Sequence, residues 1–123
     1  MILVVDDEEV IRSLAKDTLE HYGYRVLLAE DGAKAISIYG EHNGGISLVI
    51  LDMVMPRMGG QETFLKLKEM NPAVKALLST GYSQNAKTKE ILKNGVMGFV
   101  QKPYQLDELL SKVRNVLDAT IQA

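Results

Sequence analysis

The side chains able to do chemistry in this 123-residue chain are mainly oxygen donors, joined by one well-placed lysine. Asp6 and Asp7 follow the first apolar run, and Asp52 follows the third. Ser79 and Thr80 close the fourth, and Lys102 follows the fifth, just before Pro103. If these runs are parallel strands, the groups converge, because an open parallel sheet binds ligands outside the carboxyl ends of its strands. Three carboxylates gathered there repel one another and need a cation or a proton. Lys102 is one such cation and a hard divalent ion is the other. An all-oxygen donor set favours Mg²⁺ or a similar ion over zinc, and Mg²⁺ held by one or two carboxylates takes phosphate oxygens as further ligands. Carboxylate, Mg²⁺, lysine and hydroxyl together suit phosphoryl transfer to a carboxylate nucleophile, a reaction that is mostly positioning and charge neutralisation.

The elements that must position these groups are legible as an alternation. Apolar runs of strand length span Ile2 to Val5, Arg25 to Ala29, Ile46 to Leu51, Val74 to Leu78 and Val96 to Val100. Between them lie stretches with helical spacing. Val10, Ile11, Leu14, Ala15, Thr18, Leu19 and Tyr22 form one stripe; Leu106, Leu109, Leu110, Val113, Val116 and Leu117 form another. Weaker stripes run through Ile36 and Tyr39, through Phe64 and Leu67, and through Ile91 and Leu92 in the stretch Asn85 to Asn94. Pro72 should end the helix before it, and Gly95 should stop the one over Asn85 to Asn94. Strand and helix thus alternate five times, which predicts an α/β domain: a parallel sheet with helices on both faces, joined by right-handed crossovers. Runs apolar nearly throughout fit strands buried on both sides.

Bulk properties agree with one globular domain over residues 1–123. Hydrophobic residues make up 46% and charged residues 24%. The net charge of −2 and the scattered lysines lack the clustered basic excess of a nucleic-acid binder. There are no cysteines, which excludes disulfides, thiolate metal sites and cysteine nucleophiles. No apolar run approaches the ~20 residues of a membrane span, and Met1 to Val5 lacks signal-peptide architecture, so a cytoplasmic setting without membrane contact is expected. Asp118 to Ala123 is expected to fray or to lead toward a further domain.

The segments Val4-Val5-Asp6-Asp7-Glu8, Leu51-Asp52-Met53-Val54-Met55-Pro56-Arg57-Met58-Gly59-Gly60, Leu78-Ser79-Thr80-Gly81 and Phe99-Val100-Gln101-Lys102-Pro103 also carry a resemblance. In this order, each after a strand, they make the chain resemble the receiver domain of two-component response regulators over essentially its whole length. The resemblance implies a doubly wound, flavodoxin-like (βα)5 domain with sheet order 2-1-3-4-5. It implies that Asp52 accepts a phosphoryl group from a histidine kinase or histidine phosphotransfer protein. Asp6, Asp7, Asp52 and the backbone carbonyl of Val54 would bind Mg²⁺, and Lys102 would neutralise the phosphoryl group. Thr80 would offer it a hydroxyl and, with Phe99 as an aromatic partner, would reset the face made by the fourth helix, fifth strand and fifth helix. The Lys102–Pro103 bond would be cis. The result is a switch acting on itself rather than a conventional enzyme. Leu78-Ser79-Thr80-Gly81-Tyr82-Ser83 is similar to receivers attached to hybrid histidine kinases, so a covalently linked kinase or output domain fits, as does a homodimer. Val54 and Tyr82, each two residues past a site residue, would border the path of the attacking water and slow self-dephosphorylation.

Plainer readings stand beside these. Glu8 and Glu9 read as helix-start acids, favourable by ~0.3–1 kcal/mol each. Ser79 and Thr80 are also ordinary turn residues. Met53, Met55 and Met58 are explained by packing, and His21 and His42 lie far from the acidic set. Among rival functions, a docking module of the same fold would bind Mg²⁺ weakly and leave Asp52 unlabelled. A nucleotide or flavin binder wants a glycine- or hydroxyl-rich loop after strand one, where this chain has Asp-Asp-Glu-Glu. A phosphatase of the aspartate-nucleophile kind would place its nucleophile after strand one. The P-loop pattern is absent.

Overall fold

The computed structural model describes residues 1–42, 44–80, 95–102 and 104–118. The elements are β1 (Ile2–Val5), α1 (Glu9–His21), β2 (Val26–Ala29), α2 (Gly32–Glu41), β3 (Leu48–Asp52), α3 (Gly60–Met70), β4 (Ala76–Thr80), β5 (Gly98–Gln101) and α4 (Leu106–Asp118). The strands form one sheet of order β2-β1-β3-β4-β5, and every pairing is parallel. This is the expected doubly wound arrangement. The helix read over Asn85 to Asn94 lies outside the described residues, as do Tyr82, Pro103 and the tail beyond Asp118.

Side-chain alternation along the strands divides the core in two. Leu3, Val5, Val49, Leu51, Ala76, Leu78 and Phe99 point to one side and pack with Ala35 and Tyr39 of α2 and Phe64 and Leu67 of α3. Ile2, Val4, Leu48, Ile50, Leu77 and Val100 point to the other and pack with Ala15 and Leu19 of α1 and Leu109, Val113 and Val116 of α4. Burial on both sides is why the strands read as unbroken apolar runs.

The boundaries of the last three strands fall about two residues later than the apolar runs suggest. Ile46, Val74 and Val96 are buried, yet they belong to the approach to each strand and not to the ladder. At the other end the ladder continues into polar residues, pairing Asp52 with Ser79 and Thr80 with Gln101. Hydropathy marks burial, whereas pairing is set by the backbone, and the two separate where a strand runs into a polar site.

The helices bury less than their stripes offer. On α1 Ala15 and Leu19 are buried, while Val10 is 77% exposed and Leu14 and Tyr22 also face solvent. One helix lying on a sheet covers a narrow strip, and positions 10 and 14 fall beside it. On α4 Leu106 is likewise exposed. Two scattered lysines are not simply solvated: Lys112 Nζ donates to the Phe99 carbonyl, and Lys75 Nζ donates to the Leu117 carbonyl at 3.1 Å. Both tie α4 to the sheet side of the molecule.

At the first residue of α3 only glycine fits. A Cβ on Gly60 would stand 2.5 Å from the Asp52 carbonyl oxygen and 3.0 Å from Met53 Cα. Both are backbone atoms and cannot swing aside. Gly60→Ala should therefore destabilise the fold by about 2 kcal/mol, in the range for overpacking a close contact, and urea denaturation checks it. An unchanged midpoint would mean that α3 can slide away from β3 without penalty.

Candidate functional site

The carboxyl ends of β1, β3 and β5 bring Asp6, Asp52 and Lys102 into contact, and Thr80 closes β4, the strand between β3 and β5. Asp6 directly follows β1 and is 0% exposed; Asp52 is the last residue of β3 and is 4% exposed. Asp6 N–H donates to the Ala29 carbonyl at 3.1 Å, Met53 N–H to the Ser79 carbonyl at 2.9 Å, and Lys102 N–H to the Thr80 carbonyl at 2.8 Å. These bonds carry the sheet one step past each strand and hold the site residues on a rigid frame.

Lys102 is the hub. Its Nζ stands 3.1 Å from Asp6 Oδ2 and 3.2 Å from Asp52 Oδ2, with Glu8 Oε1 at 3.8 Å. The side chain is 15% exposed, so the two short pairs operate with little water between them. Asp52 Oδ1 accepts a long bond, 3.3 Å, from the Val54 N–H. Asp6 Oδ1 accepts from the Glu8 N–H at 2.9 Å, and the Asp6 carbonyl accepts from Arg12 Nη1 at 2.6 Å.

The electrostatics follow from burial. Desolvation, helped by the Asp6 charge, pushes the Asp52 carboxyl up from 3.8 to about 6, against the pull of Lys102 and the Val54 N–H. Burial works to lower the Lys102 ammonium, but the bonds and charges of Asp6 and Asp52 outweigh it and hold the group above its ordinary value. A lysine ion and a buried carboxylate of raised basicity therefore sit side by side, an arrangement typical of functional sites.

Asp7 is exposed at the rim, and the carboxylates of Asp6, Asp7 and Glu8 approach one another within 4.8 Å. These oxygens offer the donor set a hard divalent ion takes. Val54 lies on the loop after β3 and is 61% exposed. Thr80 ends β4 and is buried; by alternation it shares its sheet face with Leu78 and Phe99, not with Asp6 and Asp52. Phe99 is already buried in this structure. Glu8 stands at the start of α1, as its reading as a helix-start acid expects, but its side chain does not cap the helix. Its carboxylate leans toward Lys102 instead. Arg12, one turn into α1, gives no sign of its contact in the sequence.

A doubly wound domain with an acidic, lysine-bridged site at the carboxyl edge of its sheet is thus defined. Residues 2–114 match the family model of the response regulator receiver domain, and the chain belongs to that family. It is 32% identical over 118 residues to the chemotaxis protein CheY of Halobacterium salinarum, covering 96% of this chain and 97% of that protein. It is 31% identical over 117 residues to the sensor kinase CckA of Brucella abortus, covering 95% of this chain but only 12% of the kinase. Among solved structures, a receiver domain protein from Clostridium thermocellum superposes with a TM-score of 0.89 at 29% identity, covering 95% of this chain and 93% of that one. A CheY-like receiver domain protein from Methanospirillum hungatei JF-1 gives 0.86 at 30% identity, covering 95% and 92%. The chain is a receiver domain of two-component signalling, a family of signalling switches that work with histidine kinases or phosphotransfer proteins. No described helix is long and apolar enough to cross a membrane.

Proposed function

We propose that residues 1–123 act as one receiver in which Asp52 is the phosphoacceptor. The observation that carries this reading is Lys102 Nζ set between Asp6 and Asp52 at 3.1 and 3.2 Å. A carboxylate Oδ of Asp52 attacks the phosphorus of a phosphohistidine on a histidine kinase or phosphotransfer protein. The new O–P bond forms as the P–N bond breaks, and the freed imidazole keeps the electron pair and takes a proton. Raised basicity favours Asp52 as the nucleophile, and Lys102 meets the charge the phosphoryl oxygens bring. Asp6, Asp7, Asp52 and the Val54 carbonyl are the groups that would hold Mg²⁺, which supplies further neutralisation when bound. Thr80 then offers its hydroxyl to a phosphoryl oxygen. Thr80 and Phe99, which alternation puts on one sheet face, pass the change to β5 and the adjoining α4. A cytoplasmic setting, and a kinase or output domain in the same polypeptide, both accord with this role.

Intact mass after incubation with acetyl phosphate checks the reading. A phosphoryl adduct is expected that requires Mg²⁺ and is lost in Asp52→Asn. A folded, Mg²⁺-replete sample that forms no adduct would favour a docking module of the same fold.

A further inference from the structure

Tyr104 stands two residues past Lys102, between β5 and α4, and is buried among Val4, Ile50, Leu77 and Val100. Its aromatic ring belongs there. Its hydroxyl does not: the oxygen is buried and finds no hydrogen-bond partner among the described residues. A polar atom left this way is costly and calls for an explanation.

The neighbouring hydroxyl is little better served. Ser79 lies on the same sheet face as Leu77, the face Tyr104 packs against, and is fully buried. Its Oγ donates to the Leu51 carbonyl at 3.4 Å, well beyond the ~2.7–2.8 Å usual for an O–H···O bond. Burial dominates and pushes the phenol up to about 12, while Ser79 acts on it as a hydrogen-bonding neighbour and pulls the other way, although the two hydroxyls do not close to ordinary hydrogen-bond geometry. The phenol therefore stays protonated and remains a donor at any ordinary pH. Two buried hydroxyls, one unpartnered and one poorly partnered, thus lie near each other at the end of β4, where Ser79 pairs with Asp52.

Ser79 is also tied directly to the site. It pairs with Asp52 in the ladder, its carbonyl accepts the Met53 N–H, and Thr80 is the next residue. Any adjustment of the end of β4 around a group added to Asp52 moves Ser79. We propose that Tyr104 is a positioning residue whose hydroxyl donates to Ser79 Oγ once the end of β4 shifts about a phosphorylated Asp52, linking the acceptor to the β5–α4 connection. The inference rests on Asp52 being the acceptor. It makes the loose approach of the two hydroxyls a property of the unphosphorylated state, closed to a full hydrogen bond in the phosphorylated one.

Tyr104→Phe removes only the oxygen. Its midpoint in urea without ligand should equal or exceed that of the wild type, since no bond is lost. Its affinity for beryllofluoride with Mg²⁺, read by tryptophan-free methods such as calorimetry or ¹⁹F NMR, should fall roughly threefold to tenfold, the size of one net hydrogen bond. Ser79→Ala should lower that affinity too, and the double variant should show no further loss, because the two hydroxyls act as one pair. A lowered midpoint in ligand-free Tyr104→Phe, unchanged beryllofluoride affinity, or additive losses would each overturn the proposal while leaving Asp52 as the acceptor. Wild-type protein that binds no beryllofluoride would overturn both.

Discussion

Lys102→Ala is expected to destabilise the domain by about 3 kcal/mol at pH 8, the lower end of the range for breaking a buried pair from one side. The lysine ammonium is the charge between Asp6 and Asp52, at 3.1 and 3.2 Å, and both carboxylates are buried. Without it they are left with no other cation between them among the described residues. Desolvation already raises Asp52 to about 6 with Lys102 in place; removing the ion takes away the main opposing pull. The sign of the pH dependence follows. A carboxyl whose folded pKa exceeds its unfolded value binds a proton more readily when folded, so stability is lost as pH rises through the folded value and regained as it falls. The loss in Lys102→Ala should therefore be largest at pH 8 and should shrink by pH 5, where Asp52 takes up the missing positive charge as a proton. Millimolar Mg²⁺ should restore part of the loss at pH 8. Urea midpoints at the two pH values decide the matter. An equal loss at both would reduce Lys102 to packing of its aliphatic stem.

The meeting of Asp6, Asp52 and Lys102, with Asp7 at the rim and Thr80 closing the neighbouring strand, was legible because it needs little of the sequence. Five buried strands announce themselves as apolar runs, parallel topology follows from the alternation with helices, and polar groups that end strands must then meet. Two-sided burial makes the signal strong: Leu48 to Leu51 and Ala76 to Leu78 have no solvent face to dilute it. The strand ends were less legible for the same reason. Ile46 and Val74 are buried without pairing, and Asp52 and Ser79 pair although they are polar, so hydropathy misplaces both ends in the same direction.

What stayed hidden depends on side-chain reach. Val10 and Leu14 have the right type for a core stripe, but the angle at which α1 lies on the sheet leaves them outside it. Glu8 suits a helix start by composition, yet Lys102, ninety-four positions away, comes within 3.8 Å of its carboxylate. Arg12 bonds a main-chain oxygen, which no residue type advertises. Tyr104 in the sequence is one more apolar aromatic after a Lys-Pro pair; only the packing around it reveals a buried hydroxyl without a well-formed hydrogen bond among the described residues. Local pattern thus identifies which strand ends carry chemistry, whereas the partners of long side chains require the three-dimensional arrangement.

Asp52, the proposed acceptor, should weigh against stability. In wild-type protein without Mg²⁺ at pH 8, Asp52 is ionised in both folded and unfolded states, and its folded pKa of about 6 against 3.8 means that folding disfavours the charged form. At 1.36 kcal/mol for each pKa unit this displacement corresponds to about 3 kcal/mol at most. Asp52→Asn removes the charge but gives Lys102 a weaker partner, so a net gain of about 2 kcal/mol is expected at pH 8. The gain should fade as pH falls through about 6, because wild-type Asp52 then takes up a proton in the folded state. Below 3.8 the carboxyl is neutral in both states and the two proteins should be alike. Mg²⁺ should act in the opposite sense: it stabilises the wild type, by about 2.7 kcal/mol at a hundred times the dissociation constant, and the variant far less. Urea midpoints across pH 4 to 8, with and without Mg²⁺, test both halves. Were Asp52→Asn less stable than wild type at pH 8 without the ion, Lys102 would outweigh burial and Asp52 would be an ordinary structural partner of the lysine. The expected order instead describes a carboxylate kept basic at the expense of the fold, which is what a nucleophile awaiting a phosphoryl group requires.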